Sequence, residues 1–183
     1  EKSRTAKTQL ISDMEALIKK LYSDKEAMKK REEELVRKRA EQNRATTGNF
    51  AKMKGNLNWP VQGRVTGKFG TTRNPDTGIV TENVGIDIRA KSGTPIQSVL
   101  DGVVSTITYI RGYGNIIIID HGGGFSTVYA KIDNITVHEN EYIQMGSNIA
   151  SVAIPENHTL AKLHFEVWGN QKKLNPEYWL IQK

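Results

Sequence analysis

The chain has 183 residues, a formal net charge of +6, 37% hydrophobic residues and no cysteine. The lack of cysteine excludes disulfides and thiolate metal sites. No apolar run reaches the roughly 20 residues that a membrane-spanning helix needs. Because the chain begins at Glu1 rather than Met, we expect a fragment or a mature form, and a missing signal peptide then says nothing about export.

The basic excess lies mainly in the N-terminal segment, where residues 1–44 hold thirteen Lys and Arg against nine Asp and Glu. A nucleic-acid-binding surface would interleave clustered basic residues with aromatic ones. Here Glu32, Glu33 and Glu34 interrupt the basic run, and Tyr22 is the only aromatic residue of the segment. The composition therefore favours a solvated helix face over a nucleic-acid interface.

Residues 4 to about 44 are predicted to be helical, because they lack Pro and Gly and are rich in good helix formers. Four apolar residues follow the a/d spacing of a coiled-coil seam: Leu10, Met14, Leu17 and Leu21. A capping-box pattern, Ser23 followed by Glu26, leaves both one long helix and two shorter helices open. We expect residues 1–45 to form a coiled-coil segment whose stripe is buried in a stalk, on the domain or on a partner.

Residues 46–58 contain turn-forming residues without periodicity and are predicted to be a linker. Trp59 begins the second domain, residues 59–183. Eight short segments rich in Val, Ile, Thr and Tyr are predicted to be strands: 64–69, 85–88, 95–99, 103–110, 115–120, 126–132, 148–152 and 163–168. No helix is predicted between Trp59 and Gly169, so the expected fold class is mainly β, a β-sheet or sandwich domain preceded by an N-terminal α-helical segment.

A series of short motifs, in order along the second domain, resembles the lysostaphin/LytM-type zinc metallopeptidase domain that acts on bacterial peptidoglycan. The first, residues 63–70, is similar to G-x-(I/V)-(T/S)-x-x-F-G. Three further motifs carry the chemistry, and they are similar to H-x-G-(I/V)-D, T-x-Y-A-H-L and H-L-H-F-E: residues 83–87, 127–132 and 162–166. The resemblance implies the LytM-type β domain for residues 59–183.

The resemblance also implies specific roles at five positions. In members that cleave, three of these positions bind zinc and two carry histidines that activate water and stabilise the oxyanion. In this chain the ligand positions hold Asn83, Asp87 and His164, and the catalytic positions hold Lys131 and Lys162. Two ligands remain, and neither catalytic histidine does.

The chemistry of these residues opposes hydrolysis. Catalytic zinc needs about three protein ligands and an open position for water, and Asn83 offers only a neutral amide oxygen. Lys131 and Lys162 would place ammonium groups beside a dication, and near neutral pH they are protonated and cannot act as bases. We expect no metal, no cofactor and no catalytic residue, with Asp87 paired to one of the two lysines. The remaining histidines are expected to be structural or superficial: His121, His138 and His158.

A LytM-type domain with a degenerate site behind a coiled coil resembles the murein hydrolase activators of the EnvC type. These switch on N-acetylmuramoyl-L-alanine amidases rather than cutting peptidoglycan. The resemblance implies a periplasmic protein whose metal-free groove binds a helix of the amidase, with peptidoglycan and, through the coiled coil, an upstream division protein as further partners. The residues expected to bind the amidase are Asn83, Asp87, Arg111, Tyr113, Lys131, Lys162, His164 and Trp168.

Two other functions stay open on the sequence. One is a zinc-dependent peptidoglycan endopeptidase with an altered site, and the other is a peptidoglycan-binding module without an amidase partner. For an activator, a further hypothesis is that the N-terminal helix folds back over the groove and holds the activator off.

Overall fold

The computed structural model describes residues 14, 16–34, 38, 49–73, 75–155 and 160–182. The chain divides into two compact units, Glu1–Glu41 and Gln42–Lys183. None of the described helices is long and apolar enough to cross a membrane.

The N-terminal unit contains helix α1, which is continuous over residues 16–34. The Ser23 hydroxyl donates a hydrogen bond to the Lys20 carbonyl at 2.8 Å. This is a bond to the preceding turn inside a helix, not an N-cap, so the described residues form one helix rather than two.

The described apolar side chains of α1 are exposed. Leu17 and Leu21 are 58% and 59% exposed, and the Lys38 and Glu34 side chains form an ion pair at 2.9 Å. Leu10 lies outside the described residues. Coiled-coil pairing therefore stays a prediction.

The second unit begins before the predicted boundary at Trp59. A short helix, α2, spans Asn49–Lys52, and Phe50 and Leu57 are 1% and 0% exposed. The Phe50 ring stacks on Phe125 with 5.0 Å between centroids. The predicted linker over residues 46–58 therefore needs correcting from residue 49 onwards, because two isolated apolar side chains in a polar stretch are buried in the core of the domain.

Twelve strands are described in the second unit, and the eight predicted segments are all among them. β1 to β6 are Arg64–Gly67, Gly70–Arg73, Val80–Asn83, Ile86–Arg89, Pro95–Gln97 and Gly102–Ile110. β7 to β12 are Gly114–Gly122, Phe125–Asp133, Tyr142–Ile143, Asn148–Val152, Lys162–Gly169 and Lys172–Leu174. A 3₁₀ turn follows at Pro176–Tyr178.

Ten of these strands form one antiparallel sheet, which confirms the mainly β fold class. Its central path runs β1-β4-β11-β8-β7-β6-β9, with β5, β10 and β12 attached at its sides. β2 and β3 form a separate hairpin. Between Trp59 and Gly169 the described residues contain no helix, as expected.

Strand β11 shows how the sheet separates its two faces. Leu163, Phe165 and Val167 are each 0% exposed and belong to the hydrophobic core. Because side chains alternate across a strand, Lys162, His164, Glu166 and Trp168 all lie on the opposite face. The sheet therefore has one face closed by the core and one face that carries polar chemistry.

Candidate functional site

The two surviving ligand positions lie directly opposite each other in the sheet. Asp87 on β4 is the register partner of His164 on β11. On the other side of Asp87, β1 contributes Gly67, where a Cβ would lie 2.9 Å from the Asp87 Oδ2 atom. Because Gly67 has no side chain, the Asp87 carboxylate fits beside β1 without a clash.

A chain of hydrogen bonds runs along this face of β11. Lys162 Nζ donates to Asp87 Oδ2 at 2.5 Å, and His164 Nδ1 lies 2.9 Å from Asp87 Oδ1. His164 Nε2 lies 3.0 Å from Glu166 Oε1, and Trp168 Nε1 donates to Glu166 Oε2 at 2.6 Å. Each carboxylate thus bridges two nitrogen groups, and the expected pairing of Asp87 with a lysine is made by Lys162.

The pKa values of the central pair are set by competing effects. Burial alone would raise the pKa of Asp87, but the hydrogen bonds from His164 and Lys162 and their charges bring it below 3.8. Burial alone would lower the pKa of His164, but its bonds to Asp87 and Glu166 raise it above 6.5. A protonated His164 donates from both ring nitrogens and keeps no lone pair for a metal.

The residues at this site do not fit a catalytic zinc ion. Asn83 Oδ1 accepts a hydrogen bond from the Gly85 amide at 3.2 Å, and Asp87 already binds the Lys162 ammonium. No group of three or more His, Cys, Asp or Glu side chains suited to a metal occurs in the described part of the chain. A catalytic zinc site needs about three protein ligands, and these residues supply only two, Asp87 and His164.

Lys131, at the other catalytic position, lies differently from Lys162. Its backbone is left-handed, with φ of 62°, and its amide donates to the Tyr113 carbonyl at 2.8 Å. The Lys131 Nζ atom is 3.5 Å from the Gly112 carbonyl. The Tyr113 ring meets His164 edge-on at 5.3 Å. Within the described residues, the Lys131 ammonium has no carboxylate partner.

These residues line one groove of about 800 Å³, with Asp87 and His164 at its floor, which we call the Asp87–His164 groove. One wall is the turn with Gly112 and Tyr113, and the opposite wall includes Thr72 and Thr81 of the β2–β3 hairpin. Of the predicted site residues, the groove brings together Asn83, Asp87, Tyr113, Lys131 and His164. Lys162 reaches Asp87 from a neighbouring cavity of about 320 Å³.

Two predicted site residues lie elsewhere. Arg111 is exposed in the turn between β6 and β7 and is not among the lining residues of the groove. Trp168 lines a separate cavity of about 500 Å³. Four residues along a strand span roughly 13 Å, which places Trp168 well beyond His164 on the same face.

Sequence reasoning missed two contributors to the groove. Glu166 forms hydrogen bonds with both His164 and Trp168. The period-two alternation of β11 could have placed Glu166 on the same face as these two residues. The β2–β3 hairpin gave no such signal, because six of its eight strand residues are exposed and its strands lack an apolar alternation.

Of the remaining histidines, the two that the structure describes do not complete a metal site. His121 is 0% exposed and lies 2.7 Å from both the Asp101 carbonyl and the Thr127 hydroxyl. His138 is exposed beside Glu141, and His158 lies outside the described residues.

The sequence and the fold have known relatives. Residues 81–176 match the model of Peptidase family M23. Murein hydrolase activator NlpD of Escherichia coli is 34% identical over 126 residues, covering 68% of this chain and 31% of NlpD. Murein hydrolase activator EnvC of the same organism is 26% identical over 134 residues, covering 73% of this chain and 31% of EnvC.

Among solved structures, a zinc containing peptidase from Vibrio cholerae aligns with a TM-score of 0.61 and 27% identity, over 70% of this chain and 41% of that one. The chain spans about a third of the length of the curated relatives it matches. The family match covers more than half of the chain and agrees with the LytM-type motifs and the antiparallel sheet. The chain belongs to Peptidase family M23.

Proposed function

We propose that the chain is a non-catalytic activator of an N-acetylmuramoyl-L-alanine amidase in cell separation, and that it binds the amidase through the Asp87–His164 groove. One observation carries the proposal. Both surviving ligand residues form hydrogen bonds with other side chains of the chain: Asp87 with Lys162, and His164 with Glu166. The activator names of two relatives support the same function.

The groove keeps a shape but lacks the groups for hydrolysis. A general base has to be unprotonated near the working pH, whereas a lysine of ordinary pKa is protonated at neutral pH. The positions expected to activate water carry Lys131 and Lys162, and the Lys162 ammonium is held by a carboxylate. A cleft with this set of groups suits binding better than water activation.

Exposed apolar side chains around the groove favour a helical occupant. Tyr109, Ile110 and Tyr113 are exposed on the side of the β6–β7 turn, and Ile79 and Val80 are exposed at the β2–β3 hairpin. An amphipathic helix binds such a groove through apolar residues spaced three and four apart. The Lys131 ammonium would then meet an acidic side chain of that helix.

The other expected partners and the location belong to the same proposal. The protein acts in the periplasm, next to peptidoglycan. The coiled-coil segment connects it to an upstream division protein, since a helix with an exposed apolar stripe needs a surface to cover it.

The decisive experiment is release of dye from labelled sacculi by the cognate amidase, with and without the full chain. Release should rise only when both proteins are present. Tyr113→Ala should lower the affinity for the amidase about thirtyfold, as aromatic anchors of an interface do, and Lys131→Glu should lower it too. Lys172→Glu, on exposed β12, is the matched control and should act as wild type.

Two results would overturn the proposal. Dye release by the chain alone, together with stoichiometric zinc, would make it an endopeptidase. Binding to sacculi without any effect on the amidase would make it a peptidoglycan-binding module.

A further inference from the structure

Helix α2 is attached to the domain through the side chain of Phe50. Phe50 is 1% exposed, and its ring meets the rings of His121, Phe125 and Trp179 at centroid distances of 5.0, 5.0 and 5.1 Å. Within the described part of the chain, no hydrogen bond joins α2 to the strands of the domain. The packing of one aromatic ring is therefore the main contact that keeps α2 in place.

The chain becomes firmly attached only after α2 has ended. The Gly55 and Leu57 amides both donate to the Trp179 carbonyl at 3.0 Å, and Leu57 is 0% exposed. Gly55 has φ of 80°, a left-handed angle that glycine adopts without strain. A permissive backbone position thus lies between α2 and its anchored end, so α2 can swing away while Leu57 keeps its bonds.

The Phe50 ring covers the imidazole of His121, and the two ring planes are tilted by 30°. The Nδ1 atom of His121 lies 2.7 Å from the Asp101 carbonyl, which only accepts, so Nδ1 carries a proton. The Nε2 atom lies 2.7 Å from the Thr127 hydroxyl and accepts from it in the neutral ring. Neutral His121 is therefore fully paired, although it is 0% exposed.

The titratable groups that face His121 do not offset its burial. Burial lowers the pKa of His121 from 6.5 to about 4, although the Asp101 and Asp120 carboxylates, before β6 and on β7, favour the protonated ring. On β8 the titratable group is the Tyr129 hydroxyl, one hydrogen bond beyond the partner of Nε2. From α2 only the uncharged Phe50 ring faces the imidazole. A proton on His121 therefore needs water, and the Phe50 ring is one of the groups that exclude water.

We propose that α2 is a pH-sensitive strap, which is docked through Phe50 while His121 is neutral and is released when His121 takes up a proton. Release moves one aromatic side chain into water, whereas unfolding of the domain would break the ten-stranded sheet. A swing of α2 about Gly55 is therefore a small change that hydrates His121. It frees residues 49–55, which in extended form add roughly 23 Å of chain between the helical unit and the domain.

The size of the effect follows from linkage between protonation and docking. Protonation favours the released form, so docking is strongest above pH 6.5 and weakens as the pH falls towards 4. If release restores the ordinary pKa of His121, the released fraction rises about thirtyfold between pH 7.5 and pH 5. The proposal does not rest on the proposed function, because neither Phe50 nor His121 lines the Asp87–His164 groove.

Hydrogen exchange of the full chain measures release. The Met53 amide donates to the Phe50 carbonyl at 3.0 Å, and an isolated helix of this length is unstable, so release exposes this amide. Corrected for the intrinsic effect of pH, its protection should fall about thirtyfold from pH 7.5 to pH 5. The fall should be less than about threefold in His121→Gln, whereas His138→Gln, at an exposed histidine, should behave as wild type.

Local release is distinguished from global unfolding by the Ile117 amide in the centre of the sheet. Met53 should exchange at least about tenfold faster than Ile117 at every pH, because release of α2 leaves the sheet intact. Equal protection of the two amides, or the same pH dependence in His121→Gln as in wild type, would overturn the proposal.

The reverse effect is measured by NMR titration of the His121 imidazole. Because linkage is reciprocal, Phe50→Ala should raise the proton affinity of His121 about tenfold or more, and Phe50→Leu about threefold. Lys52→Ala, on the exposed side of α2, is the control and should leave it unchanged. Phe50→Leu keeps the test valid if thermal unfolding shows that Phe50→Ala does not fold. An unchanged proton affinity in the folded Phe50 variants would refute the coupling.

Discussion

Lys162 places a positive charge beside Asp87, as expected for a pairing of this carboxylate with one of the two lysines. An ammonium of the chain itself is always present, whereas a metal has to be acquired. Burial alone would raise the pKa of Asp87, but the hydrogen bonds from His164 and Lys162 and their charges lower it and favour the ionised carboxylate. The Asp87 carboxylate is therefore paired by a side chain of the chain itself.

Restoring zinc binding should require few changes. Asn83→His combined with Lys162→Ala supplies a third ligand and removes the competing ammonium, so we expect about one zinc per chain after dialysis, measured by elemental analysis. The wild-type chain should hold far less than one. Adding His164→Ala to the double variant should abolish the gain, and one zinc per wild-type chain would contradict the prediction.

His121 should make the domain sensitive to acid. Burial lowers the pKa of His121 from 6.5 to about 4, so between these values the unfolded chain takes up a proton that the folded chain does not. Its contribution to stability is present above pH 6.5 and is lost as the pH falls towards 4, by up to roughly 3 kcal/mol.

Urea unfolding at a series of pH values measures this loss. The pKa of His164 is raised, so His164 contributes in the opposite direction, and the comparison has to be made with His121→Gln. The difference in unfolding free energy between wild type and His121→Gln should shrink as the pH falls. His138→Gln, at an exposed site, should keep the wild-type slope. A constant difference would refute the prediction.

At the scale of the element, β11 serves two tasks with alternate residues. Its core-facing side chains anchor the sheet, and its other face carries the chain of hydrogen bonds from Lys162 to Trp168. Glu166 is the shared acceptor between His164 and Trp168 and is 7% exposed. We therefore expect a change at Glu166 to disturb both the Asp87–His164 groove and the separate cavity that Trp168 lines.

Glu166→Gln should lower the free energy of unfolding by about 1–3 kcal/mol, because a buried histidine or indole N–H loses its charged acceptor. Glu82→Gln, on exposed β3, is the control and should change it by less than about 0.5 kcal/mol. Equal stabilities of the two variants in urea would contradict the hydrogen-bond chain described for β11.

Helix α2 belongs to the core of the domain despite its length of four residues. Phe50→Ala should destabilise the second unit by about 3–5 kcal/mol, since it removes a fully buried aromatic ring. Lys52→Ala, on the exposed side of the same helix, should be nearly neutral. Thermal unfolding of both variants measures this, and a neutral Phe50→Ala would mean that residues 49–58 are indeed a linker.

The strands with clear apolar patterns were predictable, and the others were not. The apolar residues run together in 115–120 and alternate with polar ones in 163–168, because one or both faces of the strand are buried. β2 and β3 are exposed on both faces, so no burial pattern marks them. Phe50 and Leu57 are single apolar residues in a polar stretch, and only the tertiary structure provides the surface that buries them.

At the scale of the whole molecule, self-inhibition by the N-terminal segment stays a prediction. If the N-terminal segment covers the Asp87–His164 groove, deletion of residues 1–44 should increase amidase activation in the dye-release assay. The same deletion combined with Tyr113→Ala is the control and should lose the gain. Unchanged activation after the deletion would rule out self-inhibition.

The site was predictable in its chemistry but not in its extent. Motif order identified Asn83, Asp87, Lys131, Lys162 and His164, and charge alone indicated that a lysine would pair with Asp87. Which lysine pairs depends on the strand register, which places Lys162 two residues from His164 on the same face. The position of Trp168 needed the dimensions of the sheet, because sequence alternation gives the face of a side chain and not its distance from the groove.

The parallel bridge between Leu57 and Leu180 brings both ends of the folded domain to one place. The Leu57 amide donates to the Trp179 carbonyl at 3.0 Å, and the Ile181 amide donates to the Leu57 carbonyl at 2.9 Å. A tension applied between the chain ahead of α2 and the C-terminal end would therefore act on the packing of Phe50 and on this short bridge before it reached the central strands of the sheet.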